Sequence, residues 1–297
     1  MEFDFKKIVC PVCEGEEHRF LGWRGGDAHQ NGSGVKTAIV RCDTCSHQYP
    51  NPMPFPRGSL GEMYVDADEY FRGHDVEGKK AGGLGLMNEF EKRLGKKGHF
   101  LDVGCGAGEL LWAADHSGWS AEGVDPSKEF IEIGRSRLKV SARVGTVEEM
   151  RYPDESFDAI AMGGLIEHLY DPFGTLREIH RILRPSGWLW FDAPNEDGFY
   201  MSVGNLYMKA LGRNWVVTLA PTFPPYHVQG FNKGSLTKLL DRTGFDVRHL
   251  SVQGEIRPQT GSVSVRKRIE YNSARLVNWL GKSVGKGMYM GVWAQKN

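Results

Sequence analysis

His99-Phe-Leu-Asp-Val-Gly-Cys-Gly-Ala-Gly-Glu-Leu110 is the stretch on which the reading of this chain turns. Phe100, Leu101 and Val103 form a short apolar run that predicts a buried strand over 99–104. A glycine-rich turn follows, and then a helix over 108–117. Without a Cβ, Gly104, Gly106 and Gly108 can take positive φ and let a ligand approach the backbone. A turn that opens a helix also directs free N–H groups at whatever binds there. Asp102 stands at the carboxyl end of the strand, where ligands bind in open α/β sheets. A second apolar run, Ala121 to Val124, ends in Asp125 and Pro126. An acid at that strand tip is placed to accept hydrogen bonds from ribose hydroxyls.

Dinucleotide-binding enzymes carry G-x-G-x-x-G, whereas this chain carries Asp102-x-Gly104-x-Gly106-x-Gly108. The pattern resembles motif I of the class I S-adenosylmethionine-dependent methyltransferases. The resemblance implies an α/β fold, a Rossmann-like seven-stranded sheet, with S-adenosylmethionine as cofactor. It sets Asp102, Gly104, Gly106 and Gly108 around the methionine and ribose, and Asp125, with Pro126 beside it, on the ribose hydroxyls.

At 297 residues, 40% hydrophobic and 25% charged, the chain reads as an ordinary globular protein of one large domain with appendages, or two domains. Lys and Arg total 37 and so do Asp and Glu, a balance that speaks against a nucleic-acid substrate. The start, MEFDFKK, lacks the apolar core of a signal peptide, and no apolar run is long enough to span a membrane, so the cytoplasm is the expected location. Five cysteines in that compartment point to metal binding before disulfides.

Four of them form two knuckles, Cys10-Pro-Val-Cys13 and Cys42-Asp-Thr-Cys45. Four thiolates at about 2.3 Å make a closed tetrahedral zinc site, which is structural because it leaves no open position. His18 and His47 are expected at the surface and not as ligands. The residues after the second knuckle resemble bacterial methyltransferases of sugars, envelope polysaccharides and natural products, which begin with a zinc ribbon; the matching positions are Cys42, Cys45, Tyr49, Asn51-Pro52, Tyr64 and Tyr70. The expected division is a ribbon over 1–55, a linker with N-terminal helices over 56–98, and the methyltransferase domain over 99–297. The proline run forbids a helix until about Ser59. Gly73 to Gly85 reads as a mobile glycine-rich stretch, with a helix only from Leu86 to Leu94.

From His99 onward strands and helices alternate, as in a parallel sheet with crossover helices. Further strands are expected at 120–125, 142–144, 157–163 and 188–193, with helices at 127–138 and 172–183. In the family the loop after the third strand holds the adenine, often with an acid where Thr146 stands. Here the Val147 N–H and Glu148 are the candidates. The fourth strand leads to Glu167-His168-Leu-Tyr-Asp171-Pro172, which resembles the EH-x-x-DP segment of quinone-biosynthesis and small-molecule methyltransferases. It would place Glu167 and His168 beside the methyl donor, with neutral His168 as a base or as a packing partner of the cofactor. Arg184-Pro-Ser-Gly187 reads as a helix stop.

The fifth strand closes with Ala193-Pro194-Asn195. A lid insertion over 196–232 carries Trp215, Phe223, Tyr226 and His227; its aromatics either grip a sugar ring or fill a small core. Pro225-Tyr226-His227 and Phe231 resemble the same sugar and natural-product enzymes, which makes His227 the second base candidate. A short helix over Ser235–Thr243 precedes two alternating strands, Phe245–Gln253 and Met288–Gln295. Between them lies a basic helical insertion over 263–284, with Arg266, Lys267, Arg268, Arg275 and Lys282 against Glu270 alone. It is either a solvated face or a docking face for a phosphate-bearing substrate or for peripheral contact with a membrane.

The expected activity is methyl transfer to a hydroxyl, or a carbon, of a small-molecule or glycan acceptor: a sugar, a polysaccharide precursor or a natural product. An RNA base methyltransferase is the first alternative, but it calls for a strongly basic ribbon, and this one mixes Glu14, Glu16 and Glu17 with Arg19, Arg24, Lys36 and Arg41. The second is a non-catalytic cofactor-binding scaffold that docks a partner through its ribbon. The oligomeric state is left open.

Overall fold

The computed structural model describes residues 1–58, 60–64, 75–253 and 265–297. Tyr70 lies outside them, as do the side chains of Tyr64, Arg266, Lys267, Arg268 and Glu270. The centre is a seven-stranded sheet. Its strands are β6 (His99–Val103), β7 (Ser120–Asp125), β8 (Ala142–Val144), β9 (Phe157–Met162), β10 (Leu183–Pro194), β11 (Phe245–Gln253) and β12 (Tyr289–Lys296), in the order β11-β12-β10-β9-β6-β7-β8. Strands β8, β7, β6, β9 and β10 run parallel, and β12 pairs antiparallel with both β10 and β11. The chain steps from β6 through β7 to β8, then returns to pair β9 on the other side of β6. That reversal opens the crevice in which α/β sheets bind ligands. All six residues of β9 are buried, which suits a strand covered on both faces.

Helices α1 (Val76–Leu94), α2 (Glu109–His116), α3 (Lys128–Arg137), α4 (Pro172–Ile182), α5 (Phe199–Ala210), α6 (Lys233–Arg242) and α7 (Val265–Ser283) complete the fold. Helix α1 begins at Val76, ten positions before the expected Leu86, and runs through the glycines that read as a mobile stretch. Each interior glycine costs about 1 kcal/mol of helix propensity against Ala. Packing overrides it: Met87 and Phe90 are fully buried, and the Phe90 ring meets Trp293 edge-on at 4.8 Å. Gly83 is required, since a Cβ there would lie 2.8 Å from that of Ala113. Asp75 caps the start by accepting from the Gly78 N–H, and left-handed Gly95 ends the helix.

Strand β10 also starts earlier than expected. Helix α4 stops at Ile182, and Arg184-Pro-Ser-Gly187 forms an irregularity inside β10, where the register with β9 shifts between Leu183 and Trp188. The N-terminal region has its own sheets: β1 (Phe3–Lys6) pairs with β5 (Met53–Pro56), and β2 (His18–Arg24), β3 (Thr37–Cys42) and β4 (Gln48–Pro50) form a meander. It is less separate than its sequence suggests. Cys10, Val12, Val40, Tyr49 and Met53 belong to the same buried cluster as Leu101, Ile160, Val228 and Phe231 of the large sheet and the lid.

Candidate active site

The glycine turn is held by its neighbours on β7. Gly104 N–H and Cys105 N–H both donate to the Val124 carbonyl, at 2.8 and 3.1 Å. Asp125 then spans the turn and the next loop: Oδ2 accepts from the Gly106 N–H at 2.9 Å and Oδ1 from the Ser127 N–H at 2.8 Å. Gly106 has φ 53°, and a Cβ added there would meet nothing within 4 Å, so the turn faces open space of the kind a ligand fills. Gly108, φ 85°, serves packing instead, because a Cβ there would lie 2.7 Å from Val140. Burial pushes the Asp102 carboxyl well up, and the charges of Asp125 and Glu109 push it further. Burial raises Asp125 too, against the pull of its two N–H donors. Two desolvated acids beside an open turn suit a ligand that brings positive charge and hydroxyl donors.

Next to the turn is a cavity of ≈ 230 Å³. Of the residues predicted for the site, Gly104, Pro126, Val147, Glu148 and His168 line it. Asp102, Gly106, Gly108 and Asp125 build the turn beside it. Glu148 Oε1 accepts the Thr175 hydroxyl at 2.6 Å. Leu60 and Met63 of the linker, Leu165, Tyr170 and Tyr226 also line the cavity. Leu60 and Met63 were not legible, because nothing in a linker sequence says which cavity it will cover.

Glu167 and His168 sit in a short 3-10 turn (Ile166–His168) just beyond β9, and the lid brings His227 to them. The two imidazoles meet edge-on at 4.8 Å between centroids, and His227 Nε2 lies 3.9 Å from Glu167 Oε1. Burial lowers His168 to about 4, and burial together with the charge of His168 lowers His227 to about 3. Both rings are therefore neutral at pH 7 and able to accept a proton. Burial, reinforced by Asp192 and Glu196, lifts Glu167 to about 8. Glu196 itself is fully buried and raised to about 7. Asp192, whose Oδ1 accepts the Gly164 N–H at 2.7 Å, is raised as well. The sequence reading passed over Asp192 and Glu196 as site residues, although both follow the fifth apolar run.

The ribbon braces this half of the site. Gln48 and Gly230 exchange backbone hydrogen bonds at 2.9 and 2.7 Å. His47, expected at the surface, is fully buried; its Nε2–H donates to Gln229 Oε1 at 2.8 Å, and the Gln229 amide donates in turn to the Leu169 carbonyl. The N–H groups of Val228 and Gln229 both donate to the Glu167 carbonyl. Of the aromatics in 196–232, Phe223 serves packing. Phe223 is buried against His29 and the Arg24 guanidinium, while the half-buried Trp215 carries the Arg213 guanidinium over its ring at 4.5 Å. Tyr226 lines the cavity.

The four knuckle cysteines converge. Cys10 and Cys45 sulfurs are 3.5 Å apart, as are those of Cys13 and Cys42, and all four lie within 4.8 Å of one another. A tetrahedral ion with bonds of about 2.3 Å needs sulfurs about 3.8 Å apart, so the donor set fits zinc. The contact between Cys10 and Cys45 pushes the Cys10 thiol far up and pulls Cys45 down to about 5. Neither histidine expected to stand apart joins the cluster.

A family model described as a methyltransferase domain matches residues 79–250, more than half of the chain. The chain belongs to that methyltransferase family. Among curated relatives, the ubiquinone biosynthesis O-methyltransferase of Nitrosospira multiformis is 24% identical over 173 residues, which cover 56% of this methyltransferase and 70% of that protein. The protein of the same description from Coxiella burnetii is 27% identical over 206 residues, 63% of this chain and 88% of its own. A SAM-dependent methyltransferase from Archaeoglobus fulgidus superposes with TM-score 0.53 at 20% identity, over 78% of this methyltransferase and 99% of that chain. One from Thermotoga maritima, described as a possible histamine N-methyltransferase, gives 0.50 at 22% identity, over 80% and 99%. The class I fold and SAM-dependent methyl transfer stand on these matches. The family match starts at residue 79, beyond the cysteine knuckles.

Proposed function

We propose that this methyltransferase methylates a hydroxyl, or an acidic carbon, of a sugar, polysaccharide precursor or other small natural product, and that its ribbon holds a structural zinc ion. The observation that carries the reading is the neutral imidazole pair His168 and His227 beside a cavity that begins at the glycine turn. S-adenosylmethionine supplies an already activated methyl group. The protein then has to align the acceptor, exclude water and take the proton that a hydroxyl must lose. Asp102, the glycines and Asp125, with Pro126 beside it, would hold the cofactor's methionine and ribose, and Val147 and Glu148 its adenine. His168 lines the cavity and is the residue able to take the proton; His227 and Glu167 orient it from behind. The relatives described as O-methyltransferases support an oxygen acceptor. The paired-off ribbon cations weigh against RNA: Arg19 with Asp43, Lys36 with Asp27, and Arg41 with Asp197.

Glu167 Oε2 is buried without a hydrogen-bond partner, and this favours a second reading of the same trio. Donor atoms of Glu167, His168 and His227 lie within 4.8 Å of one another, so a divalent cation bound there would hold the acceptor oxygen directly. The experiment is methyl transfer from radiolabelled S-adenosylmethionine into a fractionated lysate, with and without brief chelation. Label in the small-molecule or glycan fraction is expected, and nuclease-sensitive label would instead assign RNA. Loss on chelation with recovery on adding Mg²⁺ or Mn²⁺ selects the cation reading over the base.

A further inference from the structure

Helices α5 and α7 lie side by side, joined where the Phe199 N–H donates to the Lys286 carbonyl at 2.9 Å and where a Cβ on Gly281 would come within 2.9 Å of that of Phe199. On α5 and just past its end, Val203, Leu206, Tyr207 and Leu211 are exposed, Leu206 by 68%. On α7 and just past its end, Leu276, Trp279, Leu280 and Val284 are exposed, Trp279 by 62%. Both sets follow the spacing i, i+3, i+4, i+8, so each helix turns one apolar stripe outward. A surface helix of a globular domain does the reverse. Single exposed apolar residues are ordinary, but two neighbouring stripes are not.

The charge of the two segments is as one-sided as the exposed stripes are apolar. Residues 198–213 and 265–287 hold eight Lys and Arg, among them Lys209, Arg213, Arg275, Lys282 and Lys286, against the single acid Glu270. The whole chain has 37 of each sign. The exposed members, Lys209, Arg213, Arg275, Lys282 and Lys286, accompany the stripes.

We propose that this face docks the enzyme on an anionic lipid bilayer, with the α5 and α7 stripes entering the headgroup boundary and the cations meeting lipid phosphates. Apolar side chains with basic neighbours are the composition of an interfacial helix. A two-fold contact between copies of the chain would cover the same stripes but set each cationic face against its own kind. Nucleic acid would satisfy the cations and leave the aliphatic residues with nothing to stack on. Helix α5 follows Pro194 at the carboxyl end of β10 and leads into the segment that carries Tyr226 and His227, so the docked face includes part of the 196–232 insertion. Docking does not depend on which acceptor is methylated.

The test is co-sedimentation of the full-length protein with vesicles of phosphatidylglycerol and phosphatidylcholine in equal parts, against phosphatidylcholine alone. Binding to the mixed vesicles is expected to be at least about tenfold tighter, and to weaken in about 0.5 M NaCl. The double substitution Leu206→Glu with Trp279→Glu, both exposed, is expected to weaken it by about tenfold or more while S-adenosylmethionine affinity stays unchanged. Equal binding by that variant overturns the proposal, as does failure to bind either vesicle. A concentration-dependent dimer that the same substitutions dissociate, without vesicle binding, would assign the face to a second copy. RNA binding without vesicle binding would assign it to nucleic acid.

Discussion

The two halves of the proposed active site are built in opposite ways. On the cofactor side, Asp102, the glycine turn, Asp125, Pro126 and the loop with Val147 and Glu148 follow one another along three consecutive strand ends. Neighbouring backbone groups hold them: Val124 fixes the turn and Asp125 fixes Gly106 and Ser127. On the proposed acceptor side, Glu167 with His168, Asp192 with Glu196, and His227 come from three segments, and the N-terminal region bonds to Gln229 and Gly230, close to His227, through His47 and Gln48. The first half is a local structure that any folded sheet of this kind would carry. The second exists only when the ribbon, the lid and the sheet are assembled.

The sharpest way to break that contrast is to dismantle the ribbon. Structural zinc contributes on the order of 10 kcal/mol to folding its module. Cys42→Ser is expected to lose the bound metal, read by elemental analysis, and to abolish acceptor methylation. S-adenosylmethionine affinity by calorimetry should change by no more than a few-fold. Loss of cofactor binding in the same proportion would mean that the two halves are one cooperative unit.

Next in size is His168→Ala. Removing a general base typically costs about 10² to 10⁴ in rate, so kcat should fall in that range with cofactor affinity intact. Because His168 is lowered to about 4 and His227 to about 3, the wild-type rate should hold from pH 8 down to about 5 and fail only toward pH 4. A rate that declines through pH 6 to 7 would show that these imidazoles ionise normally and that the acceptor half is wetter than its burial implies.

Asp125→Ala tests the other half. It removes an acceptor of two backbone N–H groups, a loss of about 2 to 3 kcal/mol. S-adenosylmethionine should bind about 30- to 100-fold more weakly, with kcat at saturating cofactor altered only a few-fold. A drop confined to kcat would place Asp125 in the chemistry.

The smallest effect is on stability. Glu167 is raised from 4.5 to about 8, so the folded protein holds a proton there that the unfolded chain releases. Its contribution is present below about pH 4.5 and lost as pH rises through about 8. Glu167→Gln keeps the shape of the protonated acid, and its denaturation midpoint should fall less between pH 6.5 and 8.5 than that of the wild type. The lowered histidines act in the opposite sense between about pH 4 and 6.5, below this window, and Glu196, raised to about 7, acts in both proteins, so the difference in slope reports Glu167. Identical slopes would mean that a bound cation keeps the carboxylate ionised.

Much of the fold around the glycine turn was legible because it depends on residue types at short spacing. Three glycines between two strand-end acids predicted β6, the turn and α2, and the alternation that follows predicted β7, α3, β8 and β9 to within a residue or two. The errors have one cause. Gly78 to Gly85 looked helix-averse, yet Gly83 is the close contact that seats α1 on α2. Arg184 to Gly187 looked like a terminator, yet β9 lies alongside and draws the segment into β10. His47 looked like a surface residue beside a metal knuckle, yet Gln229 packs onto it and accepts its Nε2–H. In each case a contact distant in sequence outweighed a local preference.

The sequence alone determined the class of fold, the cofactor and the cysteine quartet, since each follows from residues that act within a few positions of one another. Tertiary structure alone decided that donor atoms of Glu167, His168 and His227 come within 4.8 Å of one another, that the N-terminal region bonds to Gln229 and Gly230 beside them, and that two helices turn their apolar stripes outward. Those are facts of placement and desolvation. A proton affinity shifted by burial, or a stripe left uncovered, depends on what the rest of the chain brings near it or withholds.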